Sequence, residues 1–584
     1  MILNILHRPG LGEIYEFFQM QQDWAHELGL KVTAMATYPT LQDERIVSDL
    51  KQYAEEYGDE LGIYFSELYC PEFDKKIGSD MDAVWLYSEE DKRRIFELVL
   101  EQFRDRFGRD PVSIAGYHLD AVSLKILLEL CPSIQVAVAG CFEEGVRVFH
   151  GCNHSWYLFN EGMPWNPWYP SKDNALRPAS NEAEALGIVA VPHLSRDMAL
   201  SYEGRNDFWA SHPGNAMRGM GYENGKCPYN LNLVDQYRAQ EKYNQGFSYY
   251  NVFVGPGWLT HNMNIDDPPE VSQRLHREQY EYFVDLRSDG KLTDMTMSEF
   301  ARWYRANRPI GTPEVYWAKE MLYGSGKHYF WYIDPEVRVL VDPTQGGSIG
   351  DLRPYAARLP GFTGPDSPTL AIGSYPYLIQ SQHRTGLPNH FADGARTTLE
   401  VRCGEDTVDL CTCPTVVDSV DQSEDGYSVR LRAAEVSFSS GITAEIVTTY
   451  SFPGDGRILM RRELQSVSDP SVELQLREYI KGCWGYTEYP EDMHGIVLSV
   501  RGEKTESLSY EYRSRALSLK SANSATVRLP RINSELTFES LDGPVELGEA
   551  IEGHLFSPYY TLSLTRSMKN GGSWNTCLSV NKAM

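Results

Sequence analysis

The sequence predicts no segment that would carry the protein into or across a membrane. No apolar run approaches the ~20 residues that a helix needs to cross a bilayer. Met1 leads at once into a short apolar stretch at 2–6, without the basic start and long apolar core of a signal peptide. We therefore expect a cytoplasmic protein with no membrane partner.

Paired cysteines are also absent. The chain has ten cysteines, yet none forms a Cys-x-x-Cys pair or has the spacing of a zinc finger. Cys411 and Cys413 stand two residues apart on one face of a predicted strand. Free, buried thiols in a reducing compartment are the expected state.

The motifs of nucleotide and serine-esterase chemistry are missing as well. No Gly-x-Gly-x-x-Gly turn follows the first predicted strand, no Gly-Lys-Ser/Thr loop occurs, and no Gly-x-Ser-x-Gly elbow stands at a strand tip. Close histidine pairs of the His-x-His or His-x-x-x-His type are absent too. We expect no organic cofactor, and a divalent metal remains the alternative.

Basic charge is scarce. Lys and Arg number 54 against 81 Asp and Glu, which gives a formal net charge of −27 spread along the chain. Such a protein gains nothing from phosphate backbones, so nucleic acid is not an expected partner. Aromatic residues, by contrast, reach 12%, with 36 Tyr and 12 Trp. That surplus is typical of large cores and Tyr-rich β-structure, and it also suits stacking against sugars.

The length and the periodicity of the chain predict two domains. A chain of 584 residues exceeds the ~250–300 at which one core stops growing. Over residues 1–310, apolar strands alternate with amphipathic helices in repeats of roughly 30 residues, which predicts an α/β fold with a parallel, TIM-like (β/α)7 barrel. Residues 311–375 are expected to connect the domains. Alternating apolar and polar segments over 376–584 predict an antiparallel β-sandwich.

Polar side chains follow nearly every predicted barrel strand. Because parallel strands end at the same rim of a barrel, these side chains are expected to share one mouth. The residues are His7, Arg8, Glu67, His118, Asp120, Glu143, Glu144, His193, Arg196, Asp197, Trp258 and His261.

Asp120 is the strongest catalytic candidate among them. It stands two residues after His118, on the same side of an extended segment, and a helix pattern begins at 121. A helix N-cap explains an Asp at this junction equally well. Two carboxylates across a mouth meet the need of glycosidic bond cleavage, so we expect Asp120 to be the nucleophile or base and Asp197 or Glu67 to be the acid. Glu143 and Glu144 are weaker candidates for the second carboxylate.

The other polar and aromatic tips are candidate substrate-binding residues. His7 and His118 could orient Asp120, hydrogen-bond a sugar or merely serve the barrel. The long insertion at 141–186 is dense in aromatic residues, which could stack on a sugar or staple two domains together. The binding candidates are His7, Arg8, His118, Trp165, Trp168, Tyr169, Lys172, His193, Arg196, Trp258 and His261, and the cations Lys172, Arg177, Arg196 and Arg205 would suit an anionic sugar.

A zinc site is the alternative use of the same tips. Zinc needs three or four converging nitrogen, sulfur or oxygen ligands. His7 and Asp120 could provide two of them, with His193 or His261 as a third.

With these residues in place, the chain resembles the polysaccharide-deacetylase-like superfamily of (β/α)7 barrels, which includes family 57 amylases and glucanotransferases and family 38 α-mannosidases. The resemblance rests on His7 at the first strand tip, Asp120 at the fourth, and a C-terminal β-sandwich with segments such as 461–467. The layout looks most like the barrel-plus-sandwich members of gut bacteria. It implies a bacterial, carbohydrate-active enzyme in which Asp120 is the nucleophile.

Two departures bear on the metal. Deacetylases of this group carry an Asp-Asp pair on the first strand and His-x-x-x-His on the third, where this chain has His7-Arg8 and Ser66-Glu67. The first strand also lacks the His-x-Asp pattern of the mannosidases, because Pro9 stands where the Asp would be. The leading hypothesis is therefore a glycoside hydrolase or transglycosidase acting on an oligosaccharide. A metal-dependent carbohydrate deacetylase and a non-catalytic carbohydrate-binding barrel are the alternatives, and self-association is left open.

Overall fold

The fold is taken from a computed structural model of the chain. It describes residues 1–65, 84, 87–116, 119–140, 162–202, 210–261, 268–361, 375–381, 396–424, 426–483, 497–502, 505–509, 518–548, 551–552 and 559–583. The predictions for Glu67, His118, Glu143, Glu144 and Arg205 lie outside these residues.

The chain divides into two compact units. The first comprises Met1–Thr312, Glu320–Gly324 and Pro360–Tyr375, and the second comprises Pro313–Lys319, Ser325–Leu359 and Pro376–Met584. Each unit is described by itself below. Of the helices in the described residues, none is long and apolar enough to cross a membrane.

The first unit is built on a parallel sheet with helices around it. The strands are β1 Ile2–His7, β2 Val32–Ala36, β3 Glu60–Tyr64, β4 Ser113–Ala115, β5 Val136–Gly140, β6 Val189–Pro192, β7 Tyr249–Val252 and β8 Thr293–Asp294. Their order is β6-β5-β4-β3-β2-β1-β7, with β8 also paired to β1, and every pair is parallel. The predicted α/β, barrel-type fold is confirmed, and the described ladders give a curled half-barrel.

Side-chain hydrogen bonds join the two ends of the curled sheet. Asn251 on β7 donates from Nδ2 to the carbonyl of Pro192 at the end of β6, at 2.8 Å. The backbone N–H of Asn251 donates to Ser195 Oγ, also at 2.8 Å. These two bonds tie β6 to β7, between which the described residues form no ladder. Ser195 therefore helps to hold the rim of the sheet.

The helices of the first unit follow the predicted alternation. They are α1 Ile14–Glu27, α2 Glu44–Glu56, α3 Glu89–Phe107, α4 Ala121–Leu130, α5 Pro213–Met217, α6 Pro228–Arg238, α7 Glu270–Ser288 and α8 Met297–Asn307. Their ends have ordinary local causes. Ser88 caps α3 and Gly108, at φ +66°, ends it, while Thr296 and Glu299 form a capping box on α8.

The alternation of β1 decides which of its residues face the barrel interior. Ile2 and Leu6 pack into the interior core with Met35 of β2 and Tyr249 of β7. His7 points the other way, into the layer of helices, because successive strand residues face opposite sides. Residue 8 therefore belongs to the interior side of the strand.

The second unit is antiparallel β-structure, as predicted. Strands β9–β13 form a five-stranded antiparallel sheet, and the predicted connecting region at 311–375 holds four of these strands. The remaining strands form a 15-stranded antiparallel sheet. The bounds are β9 Glu314–Lys319, β10 His328–Ile333, β11 Arg338–Asp342, β12 Ser348–Arg353, β13 Ile379–Gln380, β14 Arg396–Cys403, β15 Asp406–Asp409, β16 Val416–Ser423, β17 Gly426–Ser437, β18 Thr443–Phe452, β19 Arg457–Val467, β20 Leu474–Cys483, β21 Val497–Gly502, β22 Thr505–Ser509, β23 Ser518–Leu529, β24 Ser534–Ser540, β25 Val545–Gly548, β26 Ile551–Glu552, β27 Tyr559–Met568 and β28 Ser573–Lys582.

Candidate functional site

A cavity of about 660 Å³ opens at the carboxyl ends of β1, β2 and β7. This is the rim at which barrel enzymes place their active sites. The described residues that line it are Arg8, Pro9, Gly10, Leu11, Ile14, Thr37, Pro39, Thr40, Arg218, Gly255, Pro256, Gly257, Trp258 and His261. Three of the predicted binding residues, Arg8, Trp258 and His261, lie in this lining.

Arg8 forms one wall of the cavity. Its guanidinium carbon lies 5.1 Å from the centre of the Tyr64 ring. The guanidinium also runs close to the backbone of Gly255, where an added Cβ would lie only 2.8 Å from Arg8 Nη2. A side chain at position 255 would force Arg8 to move. The glycine therefore makes room for the guanidinium.

His193 belongs to the aromatic layer beneath Arg8. Its ring stacks on Tyr64 with centroids 6.4 Å apart and lies 4.8 Å from the ring of Phe253. Tyr64 and Phe253 contact each other edge to face at 5.4 Å. His193 is thus packed among rings on the interior side of the strands, and it supports the cavity without lining it.

Trp258 and Arg218 form the opposite wall. The guanidinium carbon of Arg218 lies 4.3 Å from the centre of the Trp258 ring, a cation–π distance. The Trp258 ring also stacks on His212, with centroids 4.3 Å apart. Gly214 lets this stack form, because a Cβ at that position would lie 2.7 Å from the indole. Arg218 further donates to the side-chain oxygen of Asn215.

His261 completes this wall in one defined tautomer. Arg218 donates to its Nε2, so the ring accepts there and donates from Nδ1 to Thr260 Oγ1 at 2.9 Å. Desolvation, and secondarily the charge of Arg218, lower the pKa of His261. Desolvation also lowers the pKa of Arg218 to about 10. At neutral pH the wall therefore carries a charged Arg218 and a neutral His261.

Asp197, in the loop that follows β6, is fully buried. Its Oδ1 accepts from the backbone N–H groups of Ala199 and Leu200 at 2.9 and 3.1 Å and from Gln236 Nε2 at 3.1 Å. Its Oδ2 lies 3.2 Å from the hydroxyl of Tyr229. Burial raises the pKa of Asp197 to about 6, against the opposing effect of these hydrogen bonds. Asp197 therefore holds together the loop that follows β6.

Asp120 caps α4 and is paired with a buried lysine. Its Oδ1 accepts from the backbone N–H of Ser123 at 3.1 Å and from the Ser123 hydroxyl. Its Oδ2 accepts from Lys92 Nζ of α3 at 3.0 Å, and the two charged side chains are 2% and 0% exposed. The N-cap that the sequence allowed is observed, and the ion pair with Lys92 was not foreseen.

His7 lies in the helix layer and does not face the cavity. Its Nδ1 donates to Gln22 Oε1 of α1 at 3.2 Å, and its Nε2 accepts from the hydroxyl of Tyr280 of α7 at 2.6 Å. Desolvation lowers its pKa to about 3, so the ring is neutral. A role for His7 in binding sugar or orienting Asp120 finds no support in these contacts, because the strand alternation sends its ring outward.

The predicted aromatic platform is buried. Trp165, Trp168 and Tyr169 are 0, 3 and 9% exposed. Trp168 donates from its indole to the carbonyl of Ala175, and the Tyr169 hydroxyl donates to the carbonyl of Arg308. None of the three presents a ring face to a sugar here, because the rings are buried in the described part of the insertion, residues 162–186, with Trp168 paired to Ala190 of β6 and Tyr169 packed on Tyr304 of α8.

The cations predicted around that platform serve the loops. Lys172 donates to the carbonyl of Ala183. Arg177, fully buried, contacts Ser171 and Glu184, and Arg196 donates to Ser211 Oγ at 2.9 Å. These bonds fix turns in the insertion at 141–186 and in a second long insertion at 197–245. In the described lining of the cavity, the cations are instead Arg8 and Arg218.

The proposed zinc ligands do not converge in the described part of the chain. No three His, Cys, Asp or Glu side chains there are grouped so that they could hold a metal. Both nitrogens of His7 and both oxygens of Asp120 are engaged by protein groups. His261 lies in the cavity wall and His193 in the aromatic layer below it.

Arg218, Asn215 and His212 were not singled out from the sequence. They stand in the insertion at 197–245, far from any strand tip along the chain. The signal available was the composition of that insertion, which is rich in Asn, Pro and Gly and too long for a plain connection. The short helix α5 begins at Pro213, with His212 as its cap, and carries Asn215 to the cavity wall.

Comparisons with known proteins add little on function. Residues 27–316, just under half of the chain, match a family described as a Domain of Unknown Function with solved-structure structure, DUF3863. No curated protein matches the chain.

Three solved structures show the level of likeness. A protein named as a candidate glycoside hydrolase/deacetylase from Parabacteroides distasonis is 16% identical, with a TM-score of 0.47, over 66% of this chain and 92% of that one. A galactose mutarotase-like protein from Clostridium acetobutylicum is 11% identical, with a TM-score of 0.32, over 46% and 99%. The 4-alpha-glucanotransferase from Thermococcus litoralis is 10% identical, with a TM-score of 0.30, over 100% and 99%. At these TM-scores, likeness carries no argument about function.

Proposed function

We propose that the first unit is a carbohydrate-active enzyme that binds an oligosaccharide in the mouth cavity and cleaves or transfers a glycosidic bond. The observation that carries this proposal is the amphipathic lining of the cavity. Leu11 and Ile14 are 48 and 41% exposed there, and the hydrogen-bonding side chains of Arg8 and Arg218 lie in the same lining. A sugar ring has an apolar face and a polar edge, and a cavity of about 660 Å³ is of the size that small ligands occupy.

The proposed catalytic carboxylates are Asp120, as nucleophile or base, and Asp197 or Glu67, as acid; neither Asp120 nor Asp197 belongs to the described lining of the cavity, so these roles stay predictions. One feature supports the assignment of Asp197 as the acid. Asp197 has a pKa raised to about 6, in the direction that a general acid requires.

The test is turnover of an oligosaccharide library, read by mass spectrometry, with Asp120→Asn and Asp197→Asn as variants. Catalysis by either residue predicts that its Asn variant loses at least about 1,000-fold in rate while circular dichroism still shows a folded protein. The control is Glu129→Gln, which changes an exposed carboxylate on α4, the helix that Asp120 caps. This variant should keep full activity. Full activity in both Asp variants would leave Glu67 as the one remaining candidate of the three proposed carboxylates.

A second candidate function is carbohydrate binding without catalysis. It is favoured by one observation, that both oxygens of Asp120 and both oxygens of Asp197 already contact protein donors. A protein that binds immobilised glycans but releases no product from the same glycans would favour this function. Product formation that stops on addition of a strong chelator would instead favour the metal-dependent deacetylase. A cytoplasmic location, a bacterial source and self-association stay predictions.

A further inference from the structure

We infer that the mouth cavity selects a carbohydrate that carries an aliphatic group, and that this group packs against Leu11 and Ile14. The inference rests on the proposed function in taking the occupant to be a carbohydrate. It adds the chemical class of that carbohydrate, a sugar with an alkyl or acyl chain, and the two side chains that select it.

The first argument is the exposure of two aliphatic side chains in the lining. Among the described residues, four Leu, Ile or Val side chains are strongly exposed, namely Leu11, Ile14, Val416 and Leu541. Leu11 and Ile14 both line the cavity, where they are 48 and 41% exposed. Contact of large aliphatic groups with water is unfavourable, so a ligand that covers them gains free energy of binding. Half of these exposed side chains thus lie in one concave site.

The second argument is the kind of apolar surface that the lining offers. Pro9, Pro39 and Pro256 belong to the same lining as Leu11 and Ile14, so its apolar residues are mostly aliphatic. The centre of the Trp258 ring already lies 4.3 Å from the guanidinium carbon of Arg218 and 4.3 Å from the centre of the His212 ring. Flat aromatic rings suit the C–H face of a sugar, whereas branched aliphatic side chains pack closely against a flexible hydrocarbon chain. The lining therefore suits an aliphatic substituent better than a bare sugar ring.

The third argument concerns the polar side chains of the lining, two of which are bonded within the protein. The Thr40 hydroxyl donates to the carbonyl of Thr37 at 2.9 Å and accepts from the N–H and the hydroxyl of Thr37 at 2.8 and 3.2 Å, which uses its full bonding capacity. Both ring nitrogens of His261 are bonded, to Arg218 and to Thr260. Sugar hydroxyls buried against these groups would lose water without gaining a partner, which costs free energy. An aliphatic group has no such cost.

The experiment is isothermal titration calorimetry of the full chain at pH 7.5 with four probes. The probes are hexyl β-glucoside, 6-O-hexanoylglucose, methyl β-glucoside and hexan-1-ol, and the three sugars are also tested in the galactose series. We expect the hexyl glycoside or the hexanoyl ester of one series to bind at least about 10-fold more tightly than the methyl glycoside and hexan-1-ol, because its methylene groups leave water. The glycoside and the ester distinguish an alkyl group on the anomeric carbon from an acyl group on a hydroxyl.

Variants connect this preference to the two aliphatic side chains. Leu11→Asn keeps the branching of leucine and Ile14→Thr keeps the β-branch of isoleucine, while each replaces an apolar end with a polar one. Each should weaken the preferred probe at least about 5-fold and leave the methyl glycoside within about 2-fold. Leu11→Ala removes apolar surface without adding a polar group, which covers the case in which Leu11→Asn fails to fold.

The matched control is Leu541→Asn. Leu541 is the same residue type as Leu11, is 50% exposed and lies outside the described lining. This variant should bind every probe like the unmodified chain.

Three results would overturn the inference. Equal affinity for the methyl glycosides and their hexyl or hexanoyl counterparts, or no binding of any probe, would reject the aliphatic group. Equal affinity for hexan-1-ol would show an apolar pocket that does not select a sugar. A preference that is unchanged in Leu11→Asn and Ile14→Thr would place the contact elsewhere.

Product release from the oligosaccharide library tests the proposed function separately. Product formation without an aliphatic preference would reject the inference alone. An aliphatic preference without product from any glycan would reject the proposed cleavage or transfer and leave the inference standing.

Discussion

The two faces of the β1 tip differ sharply although they are one residue apart. His7 is fully buried in the helix layer, with both ring nitrogens bonded to α1 and α7. Arg8 is half-buried on the opposite face and lines the cavity. The same division recurs elsewhere, since Asp120 and Asp197 hold helix ends and loops while Arg218 and His261 face the cavity. Polar residues near a barrel rim thus fall into a scaffold set and a cavity set.

The largest loss of stability is expected for a substitution of Asp120, which belongs to the scaffold set. Replacing Asp120 with Ala removes a helix cap and takes away the carboxylate that accepts from Lys92 Nζ, in a site where the Lys92 side chain is 0% exposed. Breaking a buried pair in this way lowers the free energy of unfolding by about 3–5 kcal/mol. Urea unfolding measures it, with Glu129→Ala in the exposed Arg93–Glu129 pair as a control that should lose under about 1 kcal/mol. Equal losses in the two variants would remove Asp120 from the scaffold set.

The second effect concerns the proton of Asp197. Its pKa is raised to about 6, so the folded state binds this proton more tightly than the unfolded chain does, and the contribution to stability is lost as the pH rises from about 4 to 6. Asp197→Asn is neutral at every pH. We expect the unfolding free energy of the unmodified chain, relative to that of Asp197→Asn, to fall by roughly 2 kcal/mol across this range. A constant difference between the two proteins would contradict the buried, raised-pKa description.

The third effect is the pH dependence of stability caused by His7, and its sign is opposite to that for Asp197. Its pKa is lowered to about 3, so the unfolded chain takes up a proton first and stability is lost as the pH falls below about 6.5. Between pH 6.5 and 5, we expect the His7→Gln variant to lose about 2 kcal/mol less than the unmodified chain. His276, whose pKa is also lowered to about 3, remains in both proteins and does not enter the difference. Identical pH profiles would show that the His7 ring is not buried and neutral.

The smallest effect on stability is expected in the cavity set. Arg8→Met keeps an unbranched side chain against Gly255 and Tyr64 and removes a charge from a half-buried position. We expect the unfolding free energy to change by less than about 1 kcal/mol, because partly exposed charges contribute little. Chemical unfolding of Arg8→Met, measured in parallel with His7→Gln, checks this directly. A loss as large as that of Asp120→Ala would place Arg8 in the scaffold set.

The sequence predicts the fold well, because the apolar alternation of β1 to β7 and the helical periods between them are local properties. The sequence also predicts that Arg8, Trp258 and His261 lie at the mouth, since each follows a strand. It fails to separate His7 from Arg8, because both are polar tip residues and only the direction of β1 relative to the helices distinguishes them. Lys92 and Arg218 could not be found from local patterns either. Lys92 acts through an ion pair 28 positions away, and Arg218 reaches the cavity through a stack on Trp258.

The most direct test titrates His7→Gln and Arg8→Met, two neighbours at the tip of β1, with an oligosaccharide that the unmodified chain binds, at pH 7.5. The account predicts that His7→Gln binds within about 3-fold of the unmodified chain, whereas Arg8→Met binds at least 10-fold more weakly, a change of about 1.4 kcal/mol. Loss of binding in His7→Gln together with retention in Arg8→Met would contradict the assignment of these two residues to scaffold and cavity.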